Sequence, residues 1–173
     1  MATKEDYLKF LKQVRDETGI EALTPDDGGL VSVRVDDQFN VNLQFVEATG
    51  KVLCFVEVAQ LSVDASKDVY RDLLAGGLFG KETAGGYFAL EPETETVVYN
   101  YFFDFAQAAG DTEAFVETLE KILQLCDIWA GRIKNGGELE YKVGVGELRL
   151  DLHRLAELSR LLLGENDLHR VCD

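Results

Sequence analysis

The sequence predicts an α+β domain in the order helix, three antiparallel strands, helix, two strands, helix, with an extra C-terminal helical appendage. Two observations carry the prediction: apolar side chains repeat at helical spacing in three segments, and five short segments are typical of strands. The chain has 173 residues, 46% of them hydrophobic, which suffices for one domain with a core.

The first half of the chain is typical of a helix followed by an antiparallel meander. Residues 4–18 place apolar side chains at helical spacing, and Gly19 follows as a stop. Residues 30–35 and 39–46 alternate apolar and polar side chains, and residues 52–58 are almost continuously apolar. Short polar turns separate these three segments, which is the pattern of neighbouring antiparallel strands.

The second half predicts a helix, a hairpin and a long helix. Ser66 can cap a helix that runs through Leu74, and a hairpin joins residues 87–90 to residues 96–103. Asp111 or Thr112 then caps the longest helix. Its apolar stripe steps alternately by four and three residues: Phe115, Leu119, Ile122, Cys126, Trp129 and Ile133.

The segment 135–137, Asn-Gly-Gly, marks a boundary between a domain at 5–133 and an extension at 134–173. Leucine spacing predicts a helix at about 147–163, and residues 139–145 are either a strand or an extended connector. The extension carries 6 basic and 8 acidic side chains, whereas residues 1–133 carry 11 basic and 24 acidic ones. The acidity therefore belongs to the domain.

A net charge of −15 argues against nucleic acid and against an anionic membrane as a partner, because both require a cationic surface. The N-terminus has no apolar run behind a basic start, and no window is long enough for a spanning helix. Cys54, Cys126 and Cys172 are widely spaced, which favours reduced thiols, the first two in the core. We expect a cytoplasmic protein.

The sequence offers no active site, no metal site and no cofactor site. Residues 76–81 are glycine-rich, but Ala75 and Glu82 stand where a phosphate loop needs glycine and Ser or Thr. His153 and His169 are far apart, and the paired carboxylates lie in predicted turns. We therefore expect no enzyme; an enzyme that uses acidic loop residues with a divalent ion is the weaker alternative.

Several short segments carry a family resemblance. Residues 73–80, Leu-Leu-Ala-Gly-Gly-Leu-Phe-Gly, and residues 85–90, Gly-Gly-Tyr-Phe-Ala-Leu, resemble a segment of the class I type III secretion chaperones, the Tir chaperone (CesT-like) family. Val97-Val98-Tyr99 and the helix from Phe115 to Trp129 resemble its last strand and final helix. Gly76-Gly77 departs from the family, which often has Ala-Asn after the two leucines.

The resemblance implies a bacterial cytoplasmic homodimer that binds the N-terminal segment of a secreted effector in extended form and keeps it soluble and secretion-competent. It implies a dimer contact through the second helix, for which we assign Val69, Tyr70, Leu73, Leu74, Leu78 and Phe79. For effector contact we assign Tyr7, Phe10, Leu11, Val14, Val33, Val35, Val41, Leu43, Leu53 and Phe55. Alternation alone leaves open which sheet face the helices cover. The alternative function is a same-fold regulatory or scaffolding protein.

Overall fold

The computed structural model describes residues 2–136 of the chain. In chain order its elements are α1 (Lys4–Thr18), β1 (Val31–Val35), β2 (Phe39–Val46), β3 (Lys51–Gln60), α2 (Lys67–Gly76), β4 (Tyr87–Glu91), β5 (Thr96–Asp104), α3 (Phe105–Gly110) and α4 (Thr112–Lys134), with a 3-10 turn at Leu78–Gly80. The α+β prediction is confirmed. The predicted helix at 147–163 and the extension that contains it lie outside the described residues, apart from its first three positions.

The five strands form one antiparallel sheet in the order β1-β2-β3-β5-β4. Every second side chain of a strand points to the same face of the sheet, and the register places these side chains beside one another, as in the pairs Leu43–Cys54 and Cys54–Tyr101. This helix-covered face supplies Val31, Phe39, Val41, Leu43, Phe45, Val52, Cys54, Val56, Val58, Val97, Tyr99 and Phe103 to the core. Helices α1 and α4 complete that core with Tyr7, Phe10, Leu11, Val14, Phe115, Ile122, Cys126 and Trp129.

A reciprocal capping box starts α1. The Asp6 backbone N–H donates to the Thr3 hydroxyl at 3.2 Å, and the Thr3 backbone N–H donates to the Asp6 carboxylate at 2.9 Å. Hydrogen bonds from the Thr3 hydroxyl and backbone lower the pKa of Asp6, because they favour its charged form. The Ser66 cap of α2 is also as predicted, and of the two proposed caps of α4 it is Asp111 that accepts from the backbone.

Helix α3 was not predicted. It has only six residues, too few to show a helical repeat, and it starts two residues after the predicted end of the last strand. Its first residue, Phe105, joins an aromatic cluster with Tyr7, Phe10 and Phe45, at centroid distances of 5.3–6.5 Å. Through Phe105, the short helix packs against both α1 and strand β2 of the sheet.

Cys54 and Cys126 are buried free thiols, as predicted. Burial raises the pKa of Cys54 to about 12 and raises that of Cys126 as well, because a thiolate is poorly solvated in the core. In a Cys172→Ser variant we therefore expect no reaction with Ellman's reagent at pH 8 until denaturant is added, and two thiols afterwards. Fast reaction of the native variant would contradict this placement.

Of the helices within residues 2–136, none combines the length and the apolar content that crossing a bilayer requires.

Candidate functional site

The second face of the sheet carries apolar side chains that take no part in the core. The register places Leu53 beside Phe102, and Phe55 between Asn42 and Asn100, with Tyr87 next in the same row. None of the four apolar residues belongs to the core cluster or packs against it, and Tyr87 and Phe102 are 48% and 41% exposed. We call Leu53, Phe55, Tyr87 and Phe102 the open face.

Towards the β1 edge, the same side of the sheet becomes polar. Asn40 accepts from the Arg34 guanidinium at 2.9 Å and donates to the Glu57 carboxylate at 2.6 Å. Asn42 is almost fully buried, and its amide reaches the Phe55 backbone carbonyl at 3.4 Å. The apolar part of this side therefore lies on β3, β5 and β4, and the polar part on β1 and β2.

A second exposed apolar group lies at the end of α2 and in the turn that follows. Leu74, Leu78 and Phe79 are 80%, 61% and 86% exposed, and we call them the α2 tip. Phe79 has φ +59°, in the left-handed region that bulky side chains avoid. Such a conformation costs on the order of 1–3 kcal/mol and persists only where the surroundings impose it.

The chain on either side of the α2 tip contacts the last turns of α4. An ideal Cβ on Gly76 would lie 2.4 Å from the Trp129 ring, so α2 and α4 touch at a point where only glycine fits. The Trp129 indole N–H donates to the Glu82 backbone carbonyl at 3.1 Å. The Arg132 guanidinium lies 4.6 Å from the centre of the Trp129 ring and pairs with the Glu82 carboxylate at 2.7 Å.

The predicted dimer residues fall into two groups. Val69 is buried, and Tyr70 and Leu73 are half-buried against the core of their own subunit. Leu74, Leu78 and Phe79 are exposed. The second group therefore offers most of the surface that these six residues present to another molecule.

The predicted effector residues do not form one surface. Six of them are core side chains, at most 7% exposed, and offer nothing to a peptide in the folded subunit: Tyr7, Phe10, Leu11, Val14, Val41 and Leu43. Val33 and Val35 are half-buried on the edge strand β1, next to the core. Leu53 and Phe55 belong to the open face, because they alternate with the core residues Val52, Cys54 and Val56.

Tyr87 and Phe102, the most exposed members of the open face, were not among the predicted site residues. A signal was present in the run Tyr99–Phe103, where aromatic residues occupy consecutive positions 101, 102 and 103. Consecutive apolar residues in a strand indicate that both faces are apolar.

Within residues 2–136 no three His, Cys, Asp or Glu side chains gather closely enough to hold a metal ion. The described apolar surfaces thus remain the most distinctive features of the molecule.

Three solved structures have a similar fold. The "ExsC-ExsE Complex" matches with a TM-score of 0.65 and 20% identity, over 77% of this chain and 97% of that chain. The "HopA1-SchA Chaperone-Effector Complex" matches with a TM-score of 0.55 and 19% identity, over 77% and 94%. The Yersinia pestis type III secretion chaperone SycH, in complex with a stable fragment of YscM2, matches with a TM-score of 0.51 and 19% identity, over 69% of this chain and 98% of that chain.

A sequence search of curated proteins gives no significant match. The model of the Tir chaperone protein (CesT) family matches residues 9–130, from the middle of α1 to the last turns of α4. That range is well over half of the chain and includes the open face and the α2 tip. The chain therefore belongs to the Tir chaperone protein (CesT) family.

Proposed function

We propose that the protein is a homodimeric type III secretion chaperone. It binds the N-terminal segment of a secreted effector in extended form in the bacterial cytoplasm and keeps that segment soluble and competent for secretion. Membership of a chaperone family supports this function. Two similar structures also support it, one described as a chaperone–effector complex and the other as a type III secretion chaperone in complex with a stable protein fragment. The observation that carries it is apolar surface on the open face and the α2 tip that the folded subunit leaves uncovered.

The subunit contact is assigned to the α2 tip together with the open face. A stable interface buries about 800 Å² on each partner, and a large aromatic side chain supplies at most roughly 250 Å². Leu74, Leu78 and Phe79 alone fall short of that area, so we assign the exposed Tyr87 and Phe102 to the same contact. In a two-fold dimer each patch is used twice, which doubles the number of matched contacts.

The effector segment is assigned to the free edge of β1. Val33 and Val35 lie there on the helix-covered face and are only half-buried. An added strand would pair with the backbone of β1 and bury these two side chains further. The core residues of α1, such as Tyr7 and Leu11, hold the helix on the sheet and do not themselves contact the peptide.

This role requires no chemical step. The proposed protein works by covering aggregation-prone segments of its client, and it needs no metal, nucleotide or other cofactor.

Substituting Val33 tests the effector site. In Val33→Asp we expect at least a tenfold increase in the Kd for an effector N-terminal segment, because the new carboxylate would be buried without a partner. The measurement is isothermal titration calorimetry with a segment that copurifies with this chain after co-expression of secreted proteins encoded beside its gene.

Ser32→Asp is the matched control, since Ser32 is the exposed neighbour on the same strand and points to the other side. We expect its affinity to stay within about threefold of wild type. Equal losses in both variants, or none in either, would remove β1 from the proposed site. Failure of every neighbouring secreted protein to copurify would count against the chaperone role itself.

A further inference from the structure

We infer that Trp129, acting with Glu82 and Arg132, is a positioning residue that holds residues 77–86 in the one conformation that presents Phe79 to the partner subunit. This inference rests on the proposed dimer and goes beyond it: it names Phe79 as an aromatic anchor prepared before association, and it names the side chains that prepare it.

The first step is that Phe79 does not hold its own conformation. Its φ is +59° and its side chain is 86% exposed, so the ring gains almost nothing from its own subunit in return for the backbone strain. Without contacts to the rest of the subunit, the turn would relax to a conformation in which Phe79 has a negative φ. The strained backbone is therefore imposed from outside residue 79.

Contacts between α2, α4 and the turn impose the positive φ of Phe79. Gly76 lies against the Trp129 ring, the indole N–H holds the Glu82 carbonyl at 3.1 Å, and the ring is itself fixed against Phe88 at a centroid distance of 4.8 Å. Arg132 also holds Glu82, through a 2.7 Å ion pair with its carboxylate. Trp129 thus contacts the chain on both sides of Phe79.

The third step is that the far end of the segment is fixed as well. The buried Tyr99 hydroxyl donates to the Thr83 carbonyl at 2.7 Å, and the Gly86 backbone N–H donates to the same carbonyl at 2.9 Å. An ideal Cβ on Gly86 would lie 2.2 Å from the Tyr99 hydroxyl oxygen, so β4 enters the sheet at one fixed position. With both ends held, Leu78 and Phe79 are the large apolar side chains that the segment exposes.

The functional consequence is preorganisation. A side chain that must be ordered on association weakens binding, whereas one already held in its bound conformation does not carry that cost. Loosening residues 77–86 should therefore weaken the dimer even though the substituted residue lies outside the subunit contact.

Two variants separate this role from ordinary stability. In Phe79→Gly the strain disappears, so we expect the monomer, measured at concentrations far below the dimer dissociation constant, to melt at or above the temperature of the wild-type monomer. We expect the dimer dissociation constant of the same variant to be at least tenfold larger than that of wild type. Trp129→Phe removes both the indole N–H that donates to Glu82 and the ring atoms that contact Gly76, while an aromatic ring remains at position 129. We expect a dissociation constant increased about three- to tenfold, and faster amide hydrogen exchange at Gly80, Gly85 and Gly86 than in wild type, with Val41 in β2 unchanged.

If Trp129→Phe does not fold, Arg132→Ala replaces it as the test, because Arg132 pairs with Glu82 at the surface. We again expect a larger dissociation constant and faster exchange. Ile128→Ala is the matched control, an exposed neighbour on α4, and should leave the dissociation constant and the exchange rates as in wild type. Dissociation constants come from sedimentation equilibrium.

The outcomes are distinguishable. Wild-type monomers at all concentrations would overturn the proposed dimer and this inference with it. A wild-type dimer whose constant is unaltered in Phe79→Gly, or in both Trp129→Phe and Arg132→Ala, would overturn the inference alone. Equal losses in Ile128→Ala would also overturn it.

Discussion

Leu74→Asp is expected to convert the dimer into monomers while leaving the subunit folded. Leu74 is 80% exposed in the subunit, so the new carboxylate costs the isolated fold little. Burying that charge without a partner at the subunit contact costs about 3–5 kcal/mol, which corresponds to a dissociation constant roughly 150- to 5000-fold larger. Sedimentation equilibrium measures the constant, and thermal unfolding checks the fold.

Ile128→Asp is the control for this prediction, because Ile128 is 53% exposed on α4 and outside both apolar surfaces. It should dimerise like wild type. Leu73→Asp is a poorer test, because Leu73 packs against the core and its substitution should destabilise the subunit as well. A Leu74→Asp variant that dimerises as tightly as wild type would move the subunit contact to another surface.

Gly76→Ala is expected to destabilise the subunit by about 1–3 kcal/mol, the range for overpacking a filled core. The added methyl group would lie 2.4 Å from two Trp129 ring atoms, so the ring or the helix must move. A displaced ring would also lose the indole hydrogen bond to Glu82. Urea denaturation measures the free energy of unfolding.

Gly77→Ala is a closely matched control from the next position. Its added methyl group would lie 3.5 Å from the nearest atom, an ordinary contact, and its φ of −72° suits any residue. We expect no loss, or a gain of a few tenths of a kcal/mol from a stiffer unfolded chain. Equal destabilisation at positions 76 and 77 would show that the contact with Trp129 is not what requires glycine.

Much of the fold could be predicted because its signals are local. The start and stop of α1, the Ser66 cap and the apolar stripe of α4 each lie within a few residues of sequence, and the structure confirms them. Helix α3 could not be predicted, because six residues show no periodicity and Phe105 is placed by contacts with Tyr7 and Phe10 from a distant part of the chain.

The candidate site could be predicted only in part, because alternation indicates which side chains share a face but not which face is covered. In β3 nearly every position is apolar, so Leu53 and Val52 looked equivalent although they point to opposite sides of the sheet. The covered face is decided by where α1 and α4 pack. The same reasoning applies to α2, where Val69 is buried and Leu74 is exposed because the helix turns one side to the core.

The molar mass of the full-length chain in solution tests the central claim most directly. Size-exclusion chromatography with light scattering at micromolar concentrations should give twice the 19.2 kDa of one chain, because the α2 tip and the open face bind the same surfaces of a second copy. A mass of 19.2 kDa across the whole concentration range would contradict the account.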